Sequence, residues 1–186
     1  MASDPRGDPL ERTLNAAARQ PQTVTTDGTP VAPLLDHVKR FNVPTHVDQR
    51  GFLVEVFDPR WEWVDEPLVY CYVTTVRPGH AKGWGLHKEH ADRYFMLFGN
   101  LELVLYDVRQ ESGTYGQISV VRLSESNRGL VTIPAFVWHA LRNVGDSDVV
   151  VINFPTIQFD HASPDKYGLP LDNDVIPYSF AGVPGW

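Results

Sequence analysis

The chain has 186 residues, with 23 acidic and 16 basic side chains and a formal net charge of −7 at pH 7. This length fits one domain with a short extension and leaves little room for two full cores. The acidic balance argues against binding through a nucleic-acid phosphate backbone, so we expect no nucleic-acid partner. Cys71 is the only cysteine, which excludes an internal disulfide and a cysteine-based zinc cluster.

The N-terminal part of the chain differs from the rest. Residues 1–35 are rich in Asp, Pro, Gly and Thr, with one short helical pattern at 10–20. We expect this segment to be an arm that becomes ordered against a partner subunit, and residues 36–186 to be the folded domain. No apolar run is long enough to cross a membrane, and the N-terminus lacks an apolar signal core. We therefore expect a cytoplasmic protein without a membrane partner.

Short β-forming runs separated by Gly, Pro, Asn and Asp follow the arm. Many short strands without long helical patterns between them favour an antiparallel sandwich or barrel, so the predicted fold class is all-β. The segment 160–186 is rich in Pro and Gly, and we expect it to wrap over the mouth of the barrel. The predicted strands are 52–57, 68–76, 94–98, 101–108, 118–123, 130–133, 137–144 and 149–154.

Two stretches carry histidines with an informative spacing. In the first, Asp92 follows His87 by five residues, and Gly99 comes a further seven residues on. The second contributes Pro134, His139 and Asn143. Together they resemble the paired motifs of the cupin superfamily, small β-barrels whose two motifs place side chains inside the barrel. The resemblance implies a cupin-type double-stranded β-helix, or jelly roll.

The cupin resemblance raises the question of a metal. Metal-binding cupins usually carry a histidine two positions before the one matched by His87, and this chain has Gly85 there. The remaining candidates are His87, Asp92 and His139, a set suited to iron or manganese, with His90 as a substitute ligand. Because the expected ligand set is incomplete, we predict no metal and no cofactor. A metal-dependent, dioxygenase-like cupin stays an alternative.

A second group of motifs resembles the dTDP-4-dehydrorhamnose 3,5-epimerase family. These motifs are the Arg-Gly-Phe block within 48–57, the Gly-Leu-His within 84–87, 107–109 and the Ile-Pro…His block within 133–139. Their order and approximate spacing hold over residues 48–180. The resemblance implies an isomerase that epimerises a dTDP-4-keto-6-deoxyhexose in deoxysugar or surface-polysaccharide biosynthesis. It also implies a nucleotide-sugar substrate, a homodimer and no cofactor.

The resemblance assigns catalytic roles to individual residues. In the family, a ketone at C4 acidifies the protons on C3 and C5, a base removes one of them, and an acid returns a proton to the other face. His87 matches the base, and imidazole suits this role because its pKa lies near neutrality. Asp172 is the first choice for the carboxylate that orients His87, and Asp174 is the second. His139 would polarise the C4 carbonyl or hold the pocket.

The predicted substrate-binding residues come from the same matches. Arg50 and Glu55 match family residues that contact the diphosphate and the base, and a guanidinium suits a diphosphate because it makes paired hydrogen bonds. A surface ion pair is the alternative for both. Trp84 and Trp138 lie beside matched residues and are candidates for stacking against a sugar. Asp92 and Asn143 complete the predicted set.

The general acid is the main departure from the family pattern. The family tyrosine with this role falls near Ile152 and Asn153 here. Tyr94, Tyr106 and Tyr178 are other candidates, and no spacing selects one of them. The sequence therefore leaves open whether C3, C5 or both are inverted, and a non-catalytic sugar-binding cupin stays a further alternative.

Overall fold

The computed structural model describes residues 8–26, 31, 34–61 and 66–185. Two compact units divide the chain, residues 1–33 and 34–186. In the first unit, α1 (Pro9–Ala16) begins where the side chain of Asp8 accepts a hydrogen bond from the backbone N–H of Leu10 at 3.0 Å. Proline at the first helical position also favours this start. The helix buries none of its side chains.

Among the described residues, no helix has both the length and the apolar character needed to cross a membrane.

The second unit is all-β, as predicted. One five-stranded antiparallel sheet has the order β1-β9-β6-β11-β4, another has the order β12-β5-β10-β7-β8, and β2 and β3 form a separate hairpin. The strands are β1 (Lys39–Asn42), β2 (Thr45–Asp48), β3 (Gly51–Val54), β4 (Tyr72–Val76), β5 (Ala81–Leu86), β6 (Asp92–Phe98), β7 (Asn100–Asp107), β8 (Ile118–Ser124), β9 (Gly129–Ile133), β10 (Val137–Asn143), β11 (Val149–Asn153) and β12 (Tyr167–Gly168).

All eight predicted strands are present, and the structure adds β1, β2, β5 and β12. Strand β5 was missed because Gly83 and Gly85 lower its β-forming character. These glycines allow close packing against β10, since a Cβ atom at Gly83 would lie 2.6 Å from the Cβ of Ala140. Strand β1 was missed because it consists mainly of polar residues, as is common for a strand at the edge of a sheet.

The core lies between the two five-stranded sheets. Alternate residues of each strand face inward, as the two-residue period of a β-strand requires. The first sheet contributes Tyr94 and Met96, and the second contributes Leu103, Val137 and Leu141 to the same apolar cluster. This apolar cluster occupies much of the interior. Several polar residues that also face inward lie at one end of the strands.

The outer faces of both sheets are also covered. On the second sheet, Trp84 packs in a cluster with Leu171, Ile176 and Phe180 of the C-terminal segment. These apolar residues of the segment cover the outside of a sheet and not the mouth of the barrel, and their burial there removes apolar surface from water. The segment also adds β12 beside β5.

The outer face of the first sheet is closed by the chain between β3 and β4. Phe57 and Trp61 pack against the cluster that contains Phe95. Arg93, which is 1% exposed, fixes this covering through its guanidinium. Its nitrogens donate to the backbone carbonyls of Glu66 at 2.7 Å, Pro67 at 3.0 Å and Phe154 at 2.7 Å. These hydrogen bonds satisfy the donors of the buried guanidinium.

A buried carboxylate organises the turn between β7 and β8. Asp107 is fully buried. One of its oxygens accepts hydrogen bonds from Ser112 Oγ at 2.6 Å and Thr114 Oγ1 at 2.7 Å. Its carboxylate also pairs with Arg109, whose terminal nitrogen lies 2.7 Å away. Burial opposes the charge of Asp107, but these hydrogen bonds outweigh it and hold its pKa well below the usual range.

Candidate active site

The polar residues of the interior lie on strands of both sheets. Asp92 opens β6 two residues before the inward-facing Tyr94, and His139 lies on β10 between the inward-facing Val137 and Leu141. Alternation along each strand therefore turns both Asp92 and His139 into the space between the sheets. The ring of Tyr94 packs edge-on against His139, with their centroids 5.7 Å apart.

Three imidazoles surround the carboxylate of Asp92, which is 1% exposed. Its Oδ2 atom lies 3.2 Å from Nε2 of His87 and 3.4 Å from Nε2 of His139. Its Oδ1 atom lies 3.7 Å from Nε2 of His90 and accepts a hydrogen bond from Asn153 at 2.7 Å. Among the described residues, Oδ2 has no partner with good hydrogen-bond geometry. The structure thus brings together the predicted residues His87, Asp92 and His139.

The other ring nitrogen of each histidine points away from Asp92. Nδ1 of His87 donates to the backbone carbonyl of Asp165, and Nδ1 of His139 lies 3.1 Å from the carbonyl of Val137. Nδ1 of His90 lies 2.9 Å from Oδ2 of Asp165. Because a carbonyl oxygen only accepts, Nδ1 of His87 and of His139 carries a hydrogen. In the neutral rings, the Nε2 lone pairs therefore face Asp92.

Asp165 holds the loop that carries His87 and His90. Its carboxylate accepts hydrogen bonds from the backbone N–H groups of Lys88 at 3.0 Å and Glu89 at 2.8 Å. The sequence reasoning missed this residue, although it searched the same C-terminal region for a carboxylate. A carboxylate that caps backbone N–H groups far away in the sequence leaves no local spacing signal.

The predicted partner of His87 lies elsewhere. Asp172 is exposed, because its neighbours Leu171 and Ile176 are buried on the outer face of the second sheet. No described ion pair or hydrogen bond joins Asp172 to His87. The carboxylate that faces His87 is Asp92, which the sequence analysis had assigned to substrate binding.

Charge and burial shift the pKa values of the three histidines in different directions. Burial disfavours the charged form of His87, but its contact with Asp92 and the carbonyl of Asp165 outweigh burial and raise the pKa of His87 above the ordinary value. Burial is the main cause that lowers the pKa of His139 and of His90, and the charge of His87 lowers both further. Protonation of this cluster is therefore most favourable on His87.

Asp92 stays ionised despite its burial. Burial by itself would raise the pKa of Asp92, but the close contact with His87, the charges of His139 and His87, and the hydrogen bond from Asn153 lower it well below the usual range. A buried anion of this kind needs a neighbouring cation. Among the described residues, the nearest group that can carry this charge is His87, whose Nε2 lies 3.2 Å from Oδ2.

Three predicted substrate-binding residues lie away from this cluster. Trp84 and Trp138 belong to the cluster on the outer face of the second sheet, because the strand period turns them away from Gly85 and His139. Asn143 is buried at the far end of β10, where its amide nitrogen donates to the carbonyls of Val76 and Ser147. Within one chain, no described contact joins any of the three to the histidine cluster, and their predicted role in substrate binding stays a prediction.

Arg50 and Glu55 lie on or beside the β2–β3 hairpin, and both are exposed. Arg50 pairs with Asp48 in the hairpin turn, where its terminal nitrogen lies 2.5 Å from Oδ2. No described contact joins either residue to His87 or Asp92. Within one chain, their predicted role in nucleotide binding stays a prediction.

The donor atoms also suit a metal ion. One ligand atom from each of His87, His90 and Asp92 lies within 4.8 Å of the others. Nε2 of His139 faces the same carboxylate. A Cβ atom at Gly85 would lie 3.2 Å from Nε2 of His139, so any side chain at this position would crowd His139. Imidazole and carboxylate ligands fit iron, manganese or zinc.

Comparison with known proteins identifies the family. Residues 46–167 match the profile of the polysaccharide biosynthesis C-terminal domain. This match covers well over half of the chain. The chain belongs to this family.

Two curated relatives are consistent with this assignment. The probable low-salt glycan biosynthesis epimerase Agl13 of Haloferax volcanii is 32% identical over 141 residues, which cover 75% of this chain and 90% of the relative. The spore coat polysaccharide biosynthesis protein SpsL of Bacillus subtilis is 30% identical over 151 residues, or 79% of this chain and 97% of SpsL.

A solved structure shows the same fold. A dTDP sugar isomerase from Desulfovibrio desulfuricans superposes with a TM-score of 0.74 at 25% identity, covering 81% of this chain and 96% of that one. The resemblance to dTDP-4-dehydrorhamnose 3,5-epimerases and the cupin jelly-roll fold are thus confirmed. At the level of the family, the prediction of a carbohydrate epimerase, an isomerase, is confirmed as well.

Proposed function

We propose that this chain epimerises a nucleotide-diphosphate 4-keto-6-deoxyhexose by proton transfer at C3, C5 or both. The contact that supports this most is the one between Nε2 of His87 and Oδ2 of Asp92, at 3.2 Å. A base for a carbon acid must be basic at neutral pH and reachable by substrate. Asp92 supplies the first property, since its charge raises the pKa of His87.

The exposure of the side chains indicates which of the three histidines a substrate can reach most readily. The side chain of His87 is 13% exposed, whereas those of His90 and His139 are 8% and 6% exposed. Of the three imidazoles, His87 is therefore the one most open to a substrate. The proton that His87 takes up is stabilised as an imidazolium beside the anion of Asp92.

His139 is better suited to holding the pocket in place than to polarising the C4 carbonyl. Since Nδ1 of His139 donates to Val137, its Nε2 polarises a C4 carbonyl only when the ring is doubly protonated. Burial lowers the pKa of His139 and disfavours that form. We propose that His139 orients Asp92 and that it lies beside the substrate without donating to it.

Solvent-exchange NMR tests the proposed reaction. We expect the protein, incubated with a dTDP-4-keto-6-deoxyhexose in deuterium oxide, to incorporate deuterium at C3 or C5. His87→Asn should abolish this exchange, whereas the exposed His80→Asn should keep the wild-type rate. Wild-type protein that incorporates no deuterium would overturn the proposal, and full exchange by His87→Asn would overturn the base assignment.

A metal-dependent enzyme is the second candidate function. Three observations favour it. The Nε2 atoms converge on Asp92, and each Nδ1 atom contacts a backbone carbonyl or a carboxylate. Among the described residues, Oδ2 of Asp92 has no partner with good hydrogen-bond geometry. Histidines that ligate metals usually donate their other nitrogen to a carbonyl or carboxylate in this way. His87, His90, Asp92 and His139 would hold the ion, which would supply Lewis-acid or redox chemistry.

Metal analysis separates the two candidates. Purified protein with about one equivalent of iron, manganese or zinc, lost in His90→Asn but not in His80→Asn, would favour the metal-dependent candidate. Metal-free protein that exchanges C3 or C5 protons at full rate would exclude it. A metal-dependent loss of proton exchange would instead join the ion to the epimerase reaction.

We also propose that the protein is a cytoplasmic homodimer. The β2–β3 hairpin exposes apolar side chains, with Val47 at 76%, Leu53 at 62% and Phe52 at 43%. Such side chains are commonly covered in an interface. A second chain bound there would also bring Arg50 and Glu55 beside a neighbouring molecule. Sedimentation analysis tests the dimer, and Leu53→Glu should shift it toward monomer.

A further inference from the structure

Tyr72 lies in the same hydrogen-bonded chain as the catalytic cluster. It begins β4, and in the ladder between β4 and β11 it is directly opposite Asn153. The amide nitrogen of Asn153 donates to the Tyr72 hydroxyl at 3.0 Å and to Oδ1 of Asp92 at 2.7 Å. Residues directly opposite each other in an antiparallel pair point to the same face of the sheet, so Tyr72 faces the interior with Asn153.

The hydroxyl proton of Tyr72 is available for transfer. Its oxygen accepts the hydrogen bond from Asn153, and among the described residues no hydrogen bond takes its proton. Tyr72 is 38% exposed, so a substrate can reach it. Partial burial of the side chain and the charge of Asp92 raise the pKa of Tyr72 to about 12, which keeps the proton in place at neutral pH.

The other tyrosines near the site lack this combination. Tyr94 is only 5% exposed and lies within the interior cluster. Tyr106 and Tyr178 pack on the outer face of the second sheet, beside Trp84. Tyr70, which is half-buried, stacks on Tyr72 with ring centroids 5.9 Å apart, and no described hydrogen bond links it to the cluster.

We infer that Tyr72, held by Asn153, is the acid that returns a proton to the sugar. The inference rests on the proposed epimerase function. Inversion at a carbon beside a ketone needs a base on one face and an acid on the other. His87 breaks the C–H bond and takes the proton, and the electron pair passes into the C4 enolate. The Tyr72 O–H bond then breaks as a new C–H bond forms on the opposite face.

Both groups return to their starting states through water. The tyrosinate takes a proton from solvent, and the imidazolium of His87 releases one to it, so no oxidant, reductant or cofactor is consumed. Asn153 stabilises the tyrosinate through the hydrogen bond already present on its oxygen. This arrangement gives Asn153 a purpose at the place where the family pattern expects a tyrosine.

The experiment follows inversion and solvent exchange in one sample. Wild-type, Tyr72→Phe and Tyr70→Phe proteins are incubated with a dTDP-4-keto-6-deoxyhexose in deuterium oxide, and NMR records both deuterium content and configuration at C3 and C5. General acid catalysis typically contributes about 10²–10⁴-fold. We therefore expect Tyr72→Phe to lose inversion by about 100-fold or more while keeping exchange with retention, and Tyr70→Phe to match the wild type.

The outcomes distinguish this inference from the function on which it rests. Inversion by Tyr72→Phe at the wild-type rate would overturn the inference and leave the epimerase proposal standing. Equal loss of exchange and inversion in a folded Tyr72→Phe protein would also overturn it, because the residue would then act before reprotonation. Wild-type protein without any exchange would overturn the epimerase proposal, and the inference with it.

Discussion

Nε2 of His87 lies 3.2 Å from Oδ2 of Asp92, inside a cluster where Asp92 is almost completely buried. This pair places a base and its counter-ion at the two ends of the loop that joins β5 to β6, since only five positions separate them in the sequence. The carboxylate expected from the C-terminal segment is replaced by one that opens β6. The basicity of His87 therefore depends on a neighbour within the same motif.

The first prediction concerns the pH profile of exchange. A base acts in its neutral form, so kcat/KM should rise with pH through the His87 pKa. Because Asp92 raises that pKa, the rising limb should lie at higher pH than for an ordinary histidine, near 6.5. Asp92→Asn removes the charge and should move the limb to lower pH with a lower maximal rate. An unmoved limb would show that another group titrates.

The second prediction concerns Asp165, which positions the loop of His87 and His90. Removing a residue that orients a catalytic or ligating histidine typically costs about 10–100-fold in activity, and we expect this for Asp165→Ala. Asp165→Asn keeps one acceptor oxygen and should recover part of the rate. Asp160→Ala, in the same exposed segment, is the control. Exchange kinetics by NMR give the rates, and a loss in Asp160→Ala equal to that in Asp165→Ala would contradict the assignment.

The third prediction separates the tryptophans from the site. Trp138→Phe should leave proton exchange within about two-fold of the wild type, because Trp138 packs on the outer face. Trp84→Ala should lower the free energy of unfolding by about 3–5 kcal/mol, the usual cost of truncating a buried aromatic side chain. Denaturant titration measures this loss. A large rise in KM for Trp138→Phe would restore it to the substrate-binding set.

The fourth prediction concerns acid stability. The pKa of Asp107 is lower in the folded state than in the unfolded chain, so its contribution is present above the unfolded value, about 3.9, and disappears as pH falls. Asp107→Asn should lower the free energy of unfolding by about 1–3 kcal/mol near neutral pH, since it weakens hydrogen bonds to a buried charge. The difference from wild type should shrink below about pH 4. The exposed Asp146→Asn should show no such pH dependence.

The sequence predicted the parts of the fold that follow local patterns. Runs of β-forming residues marked eight strands, and the resemblance to the paired cupin motifs implied that His87, Asp92 and His139 meet inside the barrel. Strands β1 and β5 escaped because polar residues and glycines carry no such pattern. Their pairing is set by neighbours distant in the chain, β9 for β1 and β10 for β5.

The supporting residues of the site were harder to predict for the same reason. Asp165 acts through a cap on Lys88 and Glu89, and Tyr72 acts through its ladder partner Asn153. Neither relationship has a fixed sequence spacing. Trp84 and Trp138 lie on the outer face although they flank matched residues, because the two-residue period turns the neighbours of an inward-facing residue outward.

Alternate residues of strand β6 face opposite sides of the sheet and have different roles. Its even-numbered positions begin with Asp92, which faces the histidines, and continue with Tyr94 and Met96 in the interior core. Its odd-numbered positions begin with Arg93, whose guanidinium ties together the carbonyls of Glu66, Pro67 and Phe154. Variation at Asp92 alone would therefore sample reactivity while the apolar core stays intact. Variation at Arg93 alone would instead sample the stability of the covering of this sheet, with the reacting groups unchanged.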